Sequence, residues 1–202
     1  MHQTEVVPAP EGGVRRERAP AIWIFIAMDC TSFGVLFLVF MYERMGQVAL
    51  FDEASHLLNA PLGFFNACVL ITSSWLVAWA NIVGREGRFD EARRLMLAGM
   101  AVASIFLIVK VIEYYMKLSV GITVKTNAFF LFYYALTGVH LMHYLGGMVI
   151  LAILAQGPSP YLPAAEAKAS YLRWLEGGSL YWHMVDLLWI FIFSILYLIG
   201  AR

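Results

Sequence analysis

The sequence predicts an all-α, polytopic membrane protein with five transmembrane helices. Of its 202 residues, 61% are hydrophobic and only 14% are charged, whereas soluble domains are about 45–50% apolar and about 25% charged. A chain of this size has too little interior to hide so much apolar surface from water. Five apolar stretches also reach the length of about 20 residues that a helix needs to cross a bilayer. The composition therefore excludes a soluble globular enzyme and a disordered chain.

Short polar segments separate the apolar stretches and set the limits of each predicted helix. The polar tail at residues 1–19 contains prolines and arginines, a composition typical of disordered or loosely attached chain. The first apolar stretch is too long for the h-region of a signal peptide and has no small-residue cleavage site, so we expect a retained helix. The transmembrane bundle is predicted over residues 20–202, with its five spans at 20–42, 62–83, 95–116, 127–154 and 178–200.

The distribution of basic residues predicts the orientation of the bundle. Nine Lys and Arg residues fall in the tail and in the second and fourth loops, whereas four fall on the opposite side. The positive-inside rule therefore puts the N-terminus in the cytoplasm and the C-terminus outside. The chain has 14 basic and 14 acidic residues and no basic stripe, so a nucleic-acid partner is not expected.

Ionisable side chains inside the spans are the candidates for a functional site. A charged group in hydrocarbon costs about 2.5–3.5 kcal/mol, so each one needs a partner or a role. The helix rise puts most of the candidates in the cytoplasmic half or near the midplane, where they can converge. The candidates are Asp29, Lys110, Glu113, His140, His143, His183 and Asp186.

Helical spacing brings several of these candidates onto shared faces. On the fourth span, Thr137 and His140 lie on one face together with two tyrosines, and on the fifth span His183 and Asp186 share a face. If the two faces meet, a His–Asp hydrogen bond can satisfy both partners. The spacing therefore predicts a buried polar network of Thr137, His140, His143, His183 and Asp186.

The third span carries a separate group of charges. Lys110 and Glu113 are three residues apart, and Lys117 follows on the same stripe. Side chains at this spacing are neighbours on a helix surface, and charges within membranes usually pair with one another. The sequence therefore predicts an intramembrane ion pair between Lys110 and Glu113.

The histidine and carboxylate group allows four interpretations. Two histidines on different helices can ligate a b-type haem, but His140 and His143 share one helix and leave His183 as the only cross-helix partner. A di-iron site needs more carboxylates than Asp29 and Asp186. Asp29, a carboxylate deep within a span, is a candidate for a proton-linked role, and the fourth interpretation is a polar network that fixes helix register. We expect no catalytic residue, bound cofactor or metal in this chain.

Several segments resemble the signature helices of a known family. The fourth span carries TGVHLMHYLGG (Thr137–Gly147) and the fifth carries YWHMVDLLWIF (Tyr181–Phe191). Both are similar to helices of subunit III of cytochrome c oxidase, in the haem–copper oxidase superfamily. The IEYY segment (Ile112–Tyr115) and the combination of Asn66 with Thr72–Ser74 extend this resemblance, which covers the chain after its tail.

The resemblance implies a short, five-helix member of the family, because longer members have seven helices and this chain begins at the equivalent of their third. It resembles the subunit III-like protein associated with nitric oxide reductase slightly more than the short oxidase subunits. Asp29 stands where the family has a carbodiimide-reactive glutamate. The implied protein is a non-catalytic accessory subunit in a bacterial cytoplasmic membrane. It would stabilise a catalytic subunit that holds haem, with or without copper, and would support proton uptake during aerobic electron transport or nitric oxide reduction.

Two functions of other classes stay open on the sequence. One is a membrane anchor that binds haem b, which predicts colour in the isolated chain. The other is a stand-alone transporter or proton channel, which predicts activity without a partner. An accessory subunit instead predicts copurification with a haem protein, and structural phospholipid is a further expected contact.

Overall fold

The computed structural model describes residues 20–158 and 164–199, and within those ranges the chain is helical with short connections and no strand. Five helices are long and apolar enough to cross a membrane, which confirms the predicted all-α, five-span architecture. The predicted tail at 1–19 lies outside the described residues. The helices are α1 (Pro20–Gly46), α2 (Val48–Ser55), α3 (Ala60–Arg85), α4 (Phe89–Ser119), α5 (Ala128–Leu154) and α6 (Ala164–Phe193), and α6 continues as a π-helical segment at Ser194–Leu198.

The helices extend beyond the apolar stretches that predict them. Helix α4 begins at Phe89 rather than at residue 95, and α6 begins at Ala164 rather than at residue 178. The predicted limits of each span include only the apolar residues that the hydrocarbon core accepts. The helix itself continues into the polar interface as long as its residues favour helical structure. Asp90 and Glu91 suit the first turn of α4, because acidic side chains are favoured at the positive end of the helix dipole.

The short helix α2 was not predicted, and it covers one end of the bundle. Its Phe51 is buried, with its ring centroid 5.3 Å from that of Phe40 on α1 and 5.7 Å from that of Phe129 on α5. At eight residues, α2 is too short to be stable as an isolated helix. Its aromatic contact with α1 and α5 therefore holds it in place.

Two asparagines fix where spans begin. The Asn59 side chain accepts a hydrogen bond from the Leu62 amide at 3.0 Å, and the Asn127 side chain accepts one from the Phe130 amide at 2.9 Å. Each satisfies a backbone donor that the first turn of a helix leaves unpaired. These N-caps start α3 and α5.

The spanning helices pack as a bundle in which α3 lies against α4 and α6, and α5 lies against α6. Helix α1 touches α5 and α6 at the edge and leaves most of its surface exposed. Helices α5 and α6 approach closely because Gly147 lies against the ring of Trp182, which is fully buried. A Cβ atom at Gly147 would lie 2.8 Å from Trp182 Cε3. Close approach at small residues is a usual basis of helix packing in membranes.

We expect Gly147→Ala to destabilise the bundle by about 1–3 kcal/mol, because the added methyl group overlaps a rigid, buried indole ring. The matched control is Gly138→Ala on the same helix, where a Cβ would meet nothing within 4 Å. That control should be neutral or stabilising by up to about 1 kcal/mol, since alanine favours helix over glycine. Thermal unfolding of the detergent-solubilised protein measures both, and equal losses of stability would contradict the proposed contact.

Candidate functional site

The strongest polar contact in the bundle joins two charged residues of α4. Lys110 Nζ lies 2.8 Å from Glu113 Oε2, and both side chains are almost fully buried. The Tyr197 hydroxyl donates to Glu113 Oε1 at 2.7 Å. Lys110 Nζ also donates to the hydroxyl oxygens of Tyr133 at 3.3 Å and Tyr197 at 3.5 Å. The structure thus brings Lys110 and Glu113 together and surrounds them with groups from α5 and from the π-helical segment.

Aromatic rings and a backbone carbonyl accommodate the second cation of this cluster. Lys117 is also buried, and its Nζ donates to the Leu57 carbonyl oxygen at 3.3 Å. Lys117 Nζ lies 5.5 Å from the centre of the Tyr133 ring, and Lys110 Nζ lies 5.2 Å from that of the Trp189 ring. Ring faces attract cations at these distances, most strongly when water is excluded. The rings therefore supplement Glu113, which pairs with Lys110, and the Leu57 carbonyl oxygen, which accepts from Lys117.

Thr137 lies beside this charged cluster and not among the histidines. Its Oγ1 is 2.6 Å from the Tyr114 hydroxyl, and it donates to the Tyr133 carbonyl oxygen at 2.6 Å. Tyr114 is the residue after Glu113 on α4. Thr137 therefore helps to hold α5 against α4 at the level of the ion pair.

A second polar contact joins α1 to α5. Asp29 Oδ1 lies 3.5 Å from His143 Nε2, and the two side chains are 15% and 23% exposed. His143 Nδ1 lies 2.8 Å from the Val139 carbonyl oxygen. A carbonyl oxygen can only accept, so Nδ1 carries a proton and donates it there. Nε2 then faces the carboxyl group, and a hydrogen bond between them needs one further proton, held by either the imidazole or the carboxyl.

The third polar contact lies in a groove between α3 and α6. His183 Nδ1 is 2.5 Å from Ser74 Oγ. Both residues line an open groove of about 390 Å³, together with Asp186. The Asp186 side chain is buried, and neither of its carboxyl oxygens has a hydrogen-bond partner among the described residues. The His183–Asp186 face thus opens toward the outside of the bundle.

His140 stands alone among these residues. It is fully buried, and neither ring nitrogen has a hydrogen-bond partner in the described part of the chain. Its ring centroid lies 5.6 Å from that of Phe106 and 5.3 Å from that of Trp189. Residues three apart point about 60° away from each other around a helix. His140 therefore faces the aromatic interior, while His143 faces α1.

The structure does not gather the predicted polar residues into one hydrogen-bonded network. It divides them into the Lys110–Glu113 cluster, the Asp29–His143 pair and the groove at Asp186. The sequence reasoning missed Tyr197 and Ser74 as partners. Ser74 ends the Thr72–Ser74 segment that carries the family resemblance, and this membership was the available signal for its contact with His183. Among residues 20–158 and 164–199, no group of three or more His, Cys, Asp or Glu side chains is arranged to hold a metal ion.

We expect Lys110→Met to destabilise the protein by about 3–5 kcal/mol, because it leaves Glu113 buried without its main counter-charge. The double variant Lys110→Met/Glu113→Leu should recover most of that loss, since neither partner is then left unpaired. As a control, Glu91→Gln breaks the exposed Arg88–Glu91 pair and should cost less than about 1 kcal/mol. Unfolding in detergent measures all three variants. A double variant no more stable than Lys110→Met would show that the two side chains act independently.

Known proteins are similar in sequence to this chain over most of its length. A relative named cytochrome c oxidase subunit 3, from Corynebacterium diphtheriae, is 26% identical over 180 residues, which cover 87% of this chain and 85% of the relative. A probable quinol oxidase subunit 3 from Staphylococcus haemolyticus is 26% identical and covers 88% of this chain and 87% of its own. A heme-copper oxidase subunit I+III from Aeropyrum pernix is 26% identical over 95% of this chain but only 23% of its own length.

A family model also matches most of the chain. The model described as cytochrome c oxidase subunit III matches residues 22–201. That range contains all five membrane-spanning helices and each of the three polar contacts. The chain therefore belongs to the cytochrome c oxidase subunit III family.

Proposed function

We propose that this protein is a non-catalytic accessory subunit of a respiratory haem–copper oxidase-type complex, in which it stabilises the catalytic subunit and supports proton uptake. The observation that carries the proposal is the family match across the whole bundle, residues 22–201. The relative from Aeropyrum pernix supports a direct partnership with the catalytic subunit, because its name joins subunits I and III in one chain. The haem, with or without copper, belongs to the partner.

The polar contacts fit a supporting role better than a redox role. The His140 ring packs against Phe106 and Trp189, His143 Nε2 lies 3.5 Å from Asp29 Oδ1, and His183 lines the separate groove, so the three histidines do not converge on one site. A haem ligand needs an open ring nitrogen that faces the cofactor. Only 11% of the most apolar window of α1 and 44% of that of α3 are buried, so a partner helix or structural phospholipid can cover the remainder.

The setting we propose is the cytoplasmic membrane of a bacterium, with the N-terminus in the cytoplasm and the C-terminus outside. Basic residues collect at the end of the bundle where α3 meets α4, and Arg85 lies 3.5 Å from Glu176 of α6 there. The positive-inside rule assigns this end to the cytoplasm. Single cysteines at Arg93 and at Lys125 in a variant lacking Cys30 and Cys68 test the orientation. An impermeant thiol reagent added outside whole cells should label only the cysteine at position 125.

Purification in mild detergent, followed by an absorbance spectrum, tests the proposed function. The complex should contain this chain together with a haem-bearing subunit, and the separated chain should be colourless. A haem spectrum from the chain alone would favour a haem-b anchor. Proton conduction by the full-length protein alone in vesicles, with no haem partner present, would favour a transporter or channel. The relatives' names favour oxygen over nitric oxide as the electron acceptor, and supplying each in turn to the complex decides between them.

The Asp29–His143 pair is our candidate for the proton-linked role, because it places a carboxyl oxygen 3.5 Å from an imidazole nitrogen, and both groups are able to carry a proton. Asp29 lies on α1, the helix with the greatest exposure, so the pair sits near the edge of the bundle and not in its core. A carboxyl group there can exchange its proton without opening the aromatic interior. An asparagine at this position cannot carry the proton.

We expect Asp29→Asn to slow proton uptake by the assembled complex and to hasten its inactivation during turnover, each by about tenfold, as general acid–base groups typically contribute at least this much. Asp29→Glu keeps a carboxyl group and should remain close to the wild type. Ser32→Ala removes an exposed hydroxyl from the same helix and serves as the matched control. If Asp29→Asn leaves turnover, proton uptake and inactivation unchanged, the proton role is lost while the accessory-subunit proposal stands.

A further inference from the structure

We propose that the groove at Asp186 seats a hydrogen-bond-donating side chain from a transmembrane helix of the haem-bearing partner subunit. This inference rests on the proposed function, which supplies the partner but does not say where on this chain it binds. The groove lies between α3 and α6, with Ser74, His183 and Asp186 as its polar members. The depth, charge and shape of the groove each point to such an occupant.

Depth excludes lipid headgroups as the natural occupant. Ser74 lies 14 residues after Ala60 and 11 residues before Arg85, the two ends of α3. These separations correspond to roughly 21 Å and 16 Å along the helix axis. The hydrocarbon core of a bilayer is about 30 Å thick, so Ser74 lies well inside it. Lipid tails offer no donors at this depth, and bulk water is absent.

The carboxyl group of Asp186 is the one polar group of the groove floor without a hydrogen-bond partner among the described residues. Asp186 is only 4% exposed, yet neither of its oxygens has a hydrogen-bond partner in the described part of the chain. The nearby Ser74 hydroxyl contacts His183 Nδ1 at 2.5 Å. None of the residues that line the groove is Lys or Arg. An unsatisfied polar group in hydrocarbon is costly. A donor from a second chain that hydrogen-bonds to the Asp186 carboxyl group would remove this cost.

Shape matches a helix better than a small molecule. Large apolar side chains border the polar floor, and small residues let a second backbone approach. Trp75 is 58% exposed near the middle of α3, away from the interfacial belts where membrane tryptophans usually lie. Tryptophan is enriched among residues that dominate binding energy at protein interfaces. The bordering residues are Ile71, Trp75, Leu187 and Ile190, and the small ones are Ser74 and Ala78.

A second copy of this chain is a poor occupant of the same groove. A two-fold contact would place the same surface on both sides. A self-contact centred on the groove would present Asp186 only to a second copy of the same lining, which contains no Lys or Arg. A partner that carries hydroxyl, amide, indole or cationic donors is complementary to this floor, and its apolar surface can pack on Trp75.

Photo-crosslinking within the intact complex tests the proposal. A photoreactive phenylalanine analogue at Leu187, on the border of the groove, should crosslink to the haem-bearing subunit. The matched control is the same analogue at Ile108, which is similarly exposed in the middle of α4 but away from the groove. We expect the yield at Leu187 to exceed that at Ile108 by about tenfold, which corresponds to a preference of about 1.4 kcal/mol for the seated contact. Lipid adducts alone at Leu187, a crosslink to a second copy, or equal yields at both positions would overturn the proposal.

A pair of substitutions tests the role of the carboxyl group itself. Asp186→Leu removes both acceptors and should lower retention of this subunit by the haem protein about tenfold during detergent washing. Asp186→Asn keeps one acceptor and should retain more. Thr72→Val, on the exposed face of α3, is the control for loss of a polar group. Full retention with Asp186→Leu would overturn the role of Asp186, whereas a wild-type chain that never copurifies with a haem protein would overturn the proposed function instead.

Discussion

The buried contact between Lys110 and Glu113 is the constraint on which the rest of the bundle depends. Neither charge could remain in this interior alone, because the cost of an unpaired ion there exceeds what apolar packing nearby can offset. The pair in turn requires the hydroxyls of Tyr133 and Tyr197, which fixes α5 and the end of α6 around α4. In lipid, where apolar surface gives little drive for helices to associate, such polar contacts determine which helices are neighbours.

The periphery of the bundle is organised differently. Helix α1 contacts the rest mainly through aromatic side chains and the Asp29–His143 pair, at the longer separation of 3.5 Å. A partly exposed pair holds two helices together less firmly than a buried pair that neither partner can leave. Helix α1 can therefore shift its position more easily than the helices around the α4 cluster. The proposed accessory role fits this arrangement, because a rigid centre can hold the shape of the bundle while an adaptable edge is left for a partner or lipid to contact.

The fold could be predicted from the sequence far more fully than the site. Spans follow from hydropathy because the bilayer imposes one length and one polarity on every helix. The Lys110–Glu113 contact follows from spacing, since both residues share a helix. By contrast, helical periodicity shows that His183 and Asp186 share a face but not which neighbour that face meets. The contact of Tyr197 could not be predicted for another reason. A π-helical segment changes the direction of side chains, and neither hydropathy nor α-helical periodicity anticipates one.

The position of the ion pair within one helix has a consequence for biosynthesis. Lys110 and Glu113 enter the membrane together on α4, so their charges can neutralise each other before any other helix of the cluster exists. Tyr197, which completes the pair's hydrogen bonds, is synthesised 84 residues later than Glu113. A cross-helix ion pair would have left each charge alone in lipid during that interval. The ion pair can therefore enter the membrane with α4 as a neutral unit. Its remaining hydrogen bonds form later, when the ribosome has synthesised the C-terminal helix.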